Sequence, residues 1–199
     1  VLPLSTQILI NLSSILQKNI LFIIVIIICF FVAFKFYSRT NHGIYTISKL
    51  KLHLPIIGEL NKKIIVSRFT RTLSTLIASG VSLVHSLPVV AGVLENKIAE
   101  DAINKVREEV TKGEGLSEPI KEAGIFPEML SSMINIGEET GQLDEILNKT
   151  ADFYDDEVEQ AIQTTTALIE PLLIVVMGLV IGFIVISIML PMFDMYTQM

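Results

Sequence analysis

Two long apolar runs constrain the fold of this chain more than any other feature of its sequence. Residues 20–37 are apolar or aromatic apart from Lys35, and residues 172–193 are interrupted only by Ser187, Pro191 and glycines. A helix of about 20 apolar residues is long enough to cross the hydrocarbon core of a bilayer. We therefore interpret both runs as transmembrane helices.

The charged residues between these runs are divided by sign. Residues 35–71 hold eight basic residues and one acidic residue, whereas residues 95–160 hold six basic and eighteen acidic residues. Basic residues close to a membrane helix mark its cytoplasmic side, and four of them follow the first run: Lys35, Arg39, Lys49 and Lys51. We expect a multi-pass protein of the cell membrane with a cytoplasmic middle and both ends outside. The acidic middle would repel phosphate, which excludes nucleic acid as a partner.

Between the runs, apolar residues recur at helical spacing, and no stretch alternates as a strand does. The sequence predicts an all-α fold, a cytoplasmic six-helix bundle flanked by two transmembrane helices. The predicted divisions are a short external segment (1–19), a transmembrane helix (20–37), a basic cytoplasmic linker (38–54), the six-helix domain (55–166), a second transmembrane helix (167–193) and an external tail (194–199).

Capping residues set the expected limits of the helices in the predicted bundle. Gly80 is expected to end the first helix, because glycine readily adopts the left-handed conformation found at helix ends. Ser82, Asn96 and Ser117 are expected to cap the second, third and fourth helices, since their short polar side chains accept from free backbone N–H groups. The sixth helix is expected to continue toward the membrane, with Pro171 as the first residue of the final span.

The segment FPEMLSSMINIGEETGQL, residues 126–143, has marked helix start and stop signals. We expect Gly141 to adopt the left-handed conformation that ends a helix. The second half of the segment holds two carboxylates and a hydroxyl between glycines, at Gly137, Glu138, Glu139, Thr140 and Gly141. The carboxylates have three interpretations: they cap helices at the bend, they contact a partner, or they bind a divalent cation. We expect Thr140 to bond to nearby backbone groups.

This segment also carries a resemblance. FPEMLSSMINIGEETGQLDEIL resembles the signature of the type II secretion F-protein and type IV pilus platform family (GspF/PilC-like). FTRTL (residues 69–73) with ASGV (residues 78–81), and GEGLS (residues 113–117), resemble two further blocks of that family in the same order. The similarity runs from about residue 54 to residue 191. It covers only the second of the family's two duplicated cytoplasmic domains, so we expect a fragment of a longer protein; a half-length relative is the alternative.

The resemblance implies a platform protein that couples a cytoplasmic assembly ATPase to the polymerisation of pilin or pseudopilin subunits. It also implies contacts with other inner-membrane assembly proteins and with a second copy of the chain. We expect no enzyme activity and no cofactor, because the three histidines lack metal-ligand spacing and the sequence contains no phosphate-binding loop. The alternative class is a membrane-tethered signalling or transporter subunit. A transporter would need ionisable residues within its spans, and neither predicted span has one in its centre.

Three further groups of residues are candidate contact sites. Asp155, Asp156 and Glu159 belong to an acidic helical face, which is either solvated or a docking surface for a basic partner. Glu170 and Pro171 lie at the predicted membrane boundary, where Glu170 is either an anchor or the partner of a basic residue in another subunit. Gly178 and Gly182 form a GxxxG pattern that permits close helix packing, although glycine is common in membrane helices in any case.

Overall fold

The computed structural model describes residues 18–19, 22, 24–33, 35–55 and 57–197, with side chains at these positions except 41 and 190–197. Most of the predicted external segment, residues 1–19, therefore lies outside the described residues. The same holds for residues 198–199 of the predicted tail and for the side chains of residues 194–197. The described chain divides into two compact units. One unit is Thr40–Thr165, and the other takes the chain before Thr40 and after Thr165.

The described residues are helical and include no strand, which confirms the predicted all-α class. Residues 24–33 and 35–37 of the first apolar run are helical. The helices that follow are α1 (Asn41–His53), α2 (Ile57–Ala78), α3 (Leu83–Val93), α4 (Lys97–Thr111), α5 (Ser117–Glu122), α6 (Glu128–Thr140) and α7 (Leu143–Thr197). The unit Thr40–Thr165 thus contains α1 to α6 and the first part of α7. Helix α1 lies in the predicted linker (38–54), and the six helices α2 to α7 begin within the predicted six-helix domain (55–166).

An apolar core holds the unit Thr40–Thr165 together. Every helix of the unit contributes apolar side chains to this core. The fully buried ones include Phe69 and Leu73 of α2, Leu87 of α3, Ile103 of α4, Ile120 of α5, Leu130 and Ile134 of α6 and Leu147 of α7. The rings of Phe69 and Phe126 pack with their centroids 5.3 Å apart. Burying one side chain of this size contributes roughly 1.5–3 kcal/mol, so the core is the main source of stability for the unit.

Helix α1 occupies a segment that we interpreted as a linker. The structure differs because α1 has partners that are distant in the sequence: Leu52 is buried in the core, and Ser48 is buried at the start of α4. The backbone N–H of Lys97 donates to Ser48 Oγ (3.1 Å), and Asn96 Nδ2 donates to the Ser48 carbonyl (3.2 Å). These bonds attach α1 to the rest of the unit.

The predicted caps have mixed outcomes. Asn96 caps α4 as expected, because its Oδ1 accepts from the N–H groups of Ile98 (3.0 Å) and Ala99 (3.2 Å). Ser82 precedes α3 but makes no capping bond; its hydroxyl instead lies 2.8 Å from the His85 ring nitrogen. Ser117 is not the cap of α5, because the helix starts one residue earlier than predicted and Leu116 occupies the cap position.

Helix α7 is a single helix of 55 residues, which corresponds to about 80 Å at 1.5 Å per residue. Pro171 therefore lies inside α7 and does not start a separate helix. Among the described residues, one helix is long and apolar enough to cross a membrane, and it is the Leu143–Met189 stretch of α7. The number of spans and the topology remain predictions.

Candidate functional site

The bend between α6 and α7 is formed by the GEETG segment. Helix α6 ends at Thr140, and Gly141 follows with φ +70° and ψ +14°, the left-handed conformation predicted for it. The N–H of Gln142 then donates to the Gly137 carbonyl at 3.0 Å. A residue other than glycine is strained at this φ, so Gly141 allows α6 to end and α7 to begin within two residues.

Glu138 caps the N-terminus of a different helix. Its Oε1 accepts from the backbone N–H of Leu116, and its Oε2 accepts from the N–H of Ser117 at 3.2 Å. The first N–H groups of a helix have no partner within the helix, and a carboxylate there also interacts favourably with the helix dipole. Of the three interpretations of this carboxylate, the geometry supports helix capping, because α5 has no cap of its own.

Two glycines make room for this arrangement. A Cβ on Gly115 would lie 3.1 Å from both carboxylate oxygens of Glu138. A Cβ on Gly137 would lie 3.0 Å from the Cα of Leu143 at the start of α7. The absence of side chains at these two positions therefore permits the close approach of Glu138 to α5 and of α6 to α7.

The other two polar residues of the bend face solvent. Glu139 is exposed and accepts one bond from Asn135 Nδ2 (2.9 Å) on the same helix. Thr140 Oγ1 donates to the Ile136 carbonyl (2.7 Å), as expected for a hydroxyl near a helix end. No group of three or more potential metal ligands occurs in the part of the chain that the structure describes. Partner contact at Glu139 remains a prediction.

The acidic face of α7 is partly neutralised by α2. Arg71 Nη2 contacts Asp152 Oδ1 at 2.6 Å and Asp155 Oδ2 at 2.5 Å, and Arg71 Nη1 donates to Asn148 Oδ1 at 3.0 Å. Ser67 Oγ donates to the second oxygen of Asp155 at 2.5 Å. The same two helices form a further ion pair, between Lys63 Nζ and Glu157 Oε2 at 2.6 Å.

These contacts shift two pKa values. Partial burial of Asp155 would by itself raise its pKa, but the hydrogen bonds from Ser67 and Arg71 and the positive charge of Arg71 lower that pKa below its ordinary value. Hydrogen bonds to the carboxylates of Asp155 and, to a smaller extent, Asp152 raise the pKa of Arg71. Both shifts favour the charged forms. Asp155 is thus engaged within the chain and is not a free contact residue.

Asp156 and Glu159 differ from Asp155 because both are exposed and neither forms an ion pair with a described residue. Glu159 accepts one long bond from Gln163, at 3.4 Å on the same helix. These two carboxylates are the part of the acidic face that remains available to a partner. Sequence reasoning missed the pairing of Arg71 and Ser67 with this face, because the two residues lie on a different helix, more than 75 positions from Asp152 and Asp155.

The membrane-boundary candidates all lie on α7. Glu170 and Pro171 are exposed, and Glu170 is the last charged residue before the apolar stretch. A Cβ on Gly178 or on Gly182 would meet no atom within 4 Å among the described residues. The structure therefore leaves open space beside both glycines, and helix packing at the GxxxG pattern remains a prediction.

These features define a class of protein: an all-helical chain with a polar, ion-paired helical unit and a long helix that is apolar enough to cross a membrane. The family model described as Type II secretion system (T2SS), protein F matches residues 69–191. The chain belongs to this family, which confirms the resemblance drawn from the signature segment.

Named relatives come from two kinds of machinery. The chain is 40% identical over 193 residues to the type IV pilus assembly protein PilC of Thermus thermophilus, covering 96% of this chain and 48% of that protein. It is 40% identical over 194 residues to PilC of Myxococcus xanthus (98% and 46%), and 33% identical over 194 residues to type II secretion system protein F of Aeromonas hydrophila (98% and 50%). The chain spans about half the length of these curated relatives.

Proposed function

We propose that this chain is part of an inner-membrane platform protein of a type IV pilus or type II secretion machine. The platform couples a cytoplasmic assembly ATPase to the polymerisation of pilin or pseudopilin subunits. Membership of the T2SS protein F family is the observation that carries this proposal. The named relatives assemble type IV pili or belong to type II secretion systems, and both kinds match nearly the whole chain.

The polar groups of the described residues suit a platform that binds partners. Some carboxylates have a structural role, since Glu138 caps α5 and Asp155 forms an ion pair with α2, whereas others are exposed. A protein that binds partners needs exposed polar groups on a well-packed scaffold. Glu139, Asp156 and Glu159 are such groups, and we assign them to contacts with the ATPase or with another subunit.

Charge neutralisation tests the assigned surface. In the intact protein, expressed in a strain of its own species that lacks the gene, Asp156→Asn with Glu159→Gln should reduce both pilus or secretion output and the amount of assembly ATPase that co-purifies. The reason is that an acidic docking face attracts a basic partner. Glu118→Gln with Glu128→Gln is the matched control, because it removes the same charge from exposed positions on α5 and α6.

Two results would contradict different parts of the proposal. If the gene deletion itself leaves both pilus assembly and secretion intact, the platform function is wrong. If the deletion abolishes assembly but the Asp156→Asn and Glu159→Gln variant behaves like the control pair, the function stands and the acidic face is not the docking surface.

The proposed topology places the unit Thr40–Thr165 in the cytoplasm. A single cysteine introduced at Glu139 in a Cys29→Ser background should react with a membrane-impermeant maleimide in inverted vesicles and not in intact spheroplasts. Glu139 suits this test because it is exposed and, among the described residues, its hydrogen bond is to Asn135 on the same helix. Labelling in spheroplasts would place the unit on the other side of the membrane.

A further inference from the structure

A groove lies between α1, α4 and α5, within the unit Thr40–Thr165, and none of the functions discussed so far uses it. Its volume is about 700 Å³, which falls within the range of roughly 300–1,000 Å³ that is common for ligand-binding clefts. The scaffold beneath it is rigid, since Val106 of α4 and Pro119 of α5 are buried. The groove is therefore a preformed feature of the packed helices.

The floor of the groove is apolar. Ile98 of α4 and Ile125, which follows α5, are half-buried and pack against the core, and Ala102 of α4 is half-buried beside them in the lining. Tyr45 of α1 lies at the edge, with half of its surface exposed. Aromatic rings with a polar tip are enriched where proteins bind one another, because they bury a large apolar area and still bond to water at the rim.

The rim of the groove is acidic. Asp101, Glu108 and Glu109 of α4 and Glu122 of α5 line it, against the single basic residue Lys105. Asp101 and Glu109 are already paired, with Lys97 at 3.0 Å and with Lys112 at 2.9 Å. Glu108 and Glu122 form no ion pair with a described residue, so they carry the charge that remains for an incoming ligand.

From the apolar floor and the acidic rim together, we infer that the groove binds a basic amphipathic helix of a partner protein. Such a helix places apolar side chains at positions i, i+3 and i+4 on one face, which matches the floor between Ala102 and Ile125. Its lysine or arginine side chains then face Glu108 and Glu122. The inference does not depend on the proposed function, because it uses a surface formed by α1, α4 and α5 and not the exposed acids of α7.

A designed peptide tests the inference with the full chain in nanodiscs of uncharged phosphatidylcholine. The probe is a 14-residue fluorescein-labelled helix with leucine at i, i+3 and i+4 positions and lysine on its other faces, and binding to empty nanodiscs is subtracted. We expect saturable binding, measured by fluorescence anisotropy. A peptide of the same composition, with the leucines spread around the helix, should bind at least about tenfold more weakly, because it cannot present one apolar face.

Two variants address the floor and the rim separately. Ala102→Phe fills the floor and should abolish binding of the probe. Glu108→Gln with Glu122→Gln should raise its Kd by about threefold, since exposed charge pairs each contribute modestly. Glu118→Gln with Glu128→Gln removes the same charge away from the groove and should leave the Kd unchanged.

Several outcomes would overturn the inference. One is equal binding of the patterned and the scrambled peptide; another is equal weakening by the groove pair and the control pair, which would indicate general attraction to an acidic protein. A third is absence of peptide binding together with a change of oligomeric state in Ala102→Phe, which would show that a second copy of the chain occupies the groove.

Discussion

The cap that Glu138 provides for α5 leads to a quantitative prediction for Glu138→Ala. The substitution removes an acceptor from the N–H groups of Leu116 and Ser117. Loss of an N-terminal cap costs about 1 kcal/mol, and loss of a negative charge at the helix N-terminus costs about 0.5–1 kcal/mol more. Helix α5 has only six residues and cannot persist without tertiary support. We therefore expect its local opening to become easier by about 2 kcal/mol in total.

Hydrogen exchange measured by mass spectrometry on the full chain in detergent gives this quantity directly. Since 1.36 kcal/mol corresponds to a factor of ten, protection in a peptide covering residues 116–123 should fall by about 30-fold. The reporter is the amide of Ile120, which donates to the Leu116 carbonyl at 3.1 Å. Glu138→Gln should cost less, because its amide oxygen still accepts one bond.

The neighbouring substitution Glu139→Ala is the matched control for this measurement. Glu139 is exposed and, within the described part of the chain, bonds to Asn135 on its own helix. Its removal should therefore change the protection of residues 116–123 by no more than about 0.5 kcal/mol. The reasoning is refuted if Glu138→Ala leaves α5 as protected as before, or if both substitutions have the same effect.

Two further predictions concern the contacts of α2 and α6 with α7. Because the pKa of Asp155 is lowered, its contribution to stability is complete above its ordinary pKa of 3.8 and is lost as the pH falls below that value. Thermal unfolding measured between pH 7 and pH 3 should show this loss of stability. The loss should be smaller in Arg71→Met, and a pH profile that this substitution leaves unchanged would contradict the assignment. Gly137→Ala should lower the free energy of unfolding by about 1–3 kcal/mol because its Cβ would crowd Leu143. The matched substitution is Gly92→Ala in an exposed part of α3, where the new Cβ would have no atom within 4 Å; it should raise the free energy of unfolding by about 0.5–1 kcal/mol. Equal effects at the two glycines would show that crowding is not the cause.

Local signals predicted some helix ends but not all, since Ser82 and Ser117 carry the same capping signal as Asn96 and neither caps its helix. The cap at Asn96 and the left-handed conformation at Gly141 were both predicted correctly, because each depends on backbone groups within a few positions. The helical class and the apolar C-terminal helix were predicted for the same reason: the period of the apolar residues is itself a local property.

Contacts between distant residues were not predictable in this way. The cap of α5 comes from Glu138, 22 residues away from Leu116, and a single sequence gives no sign of that pairing. Helix α1 looked like a linker because its composition is basic and polar, but burial of Ser48 and Leu52 against other helices gives it a fixed place in the fold. Tertiary contacts of this kind override local preference.

The contact between Gly115 and Glu138 has a consequence for how related sequences can diverge. A methyl group at position 115 would lie 3.1 Å from both carboxylate oxygens and would push them back by a few tenths of an ångström, so glycine is favoured at this position as long as residue 138 is glutamate. If residue 138 is first replaced by a residue with a shorter side chain, position 115 can then become alanine without crowding. If position 115 becomes alanine first, the intermediate sequence has its methyl group crowded against Glu138. The two positions should therefore change together, and in a preferred historical order.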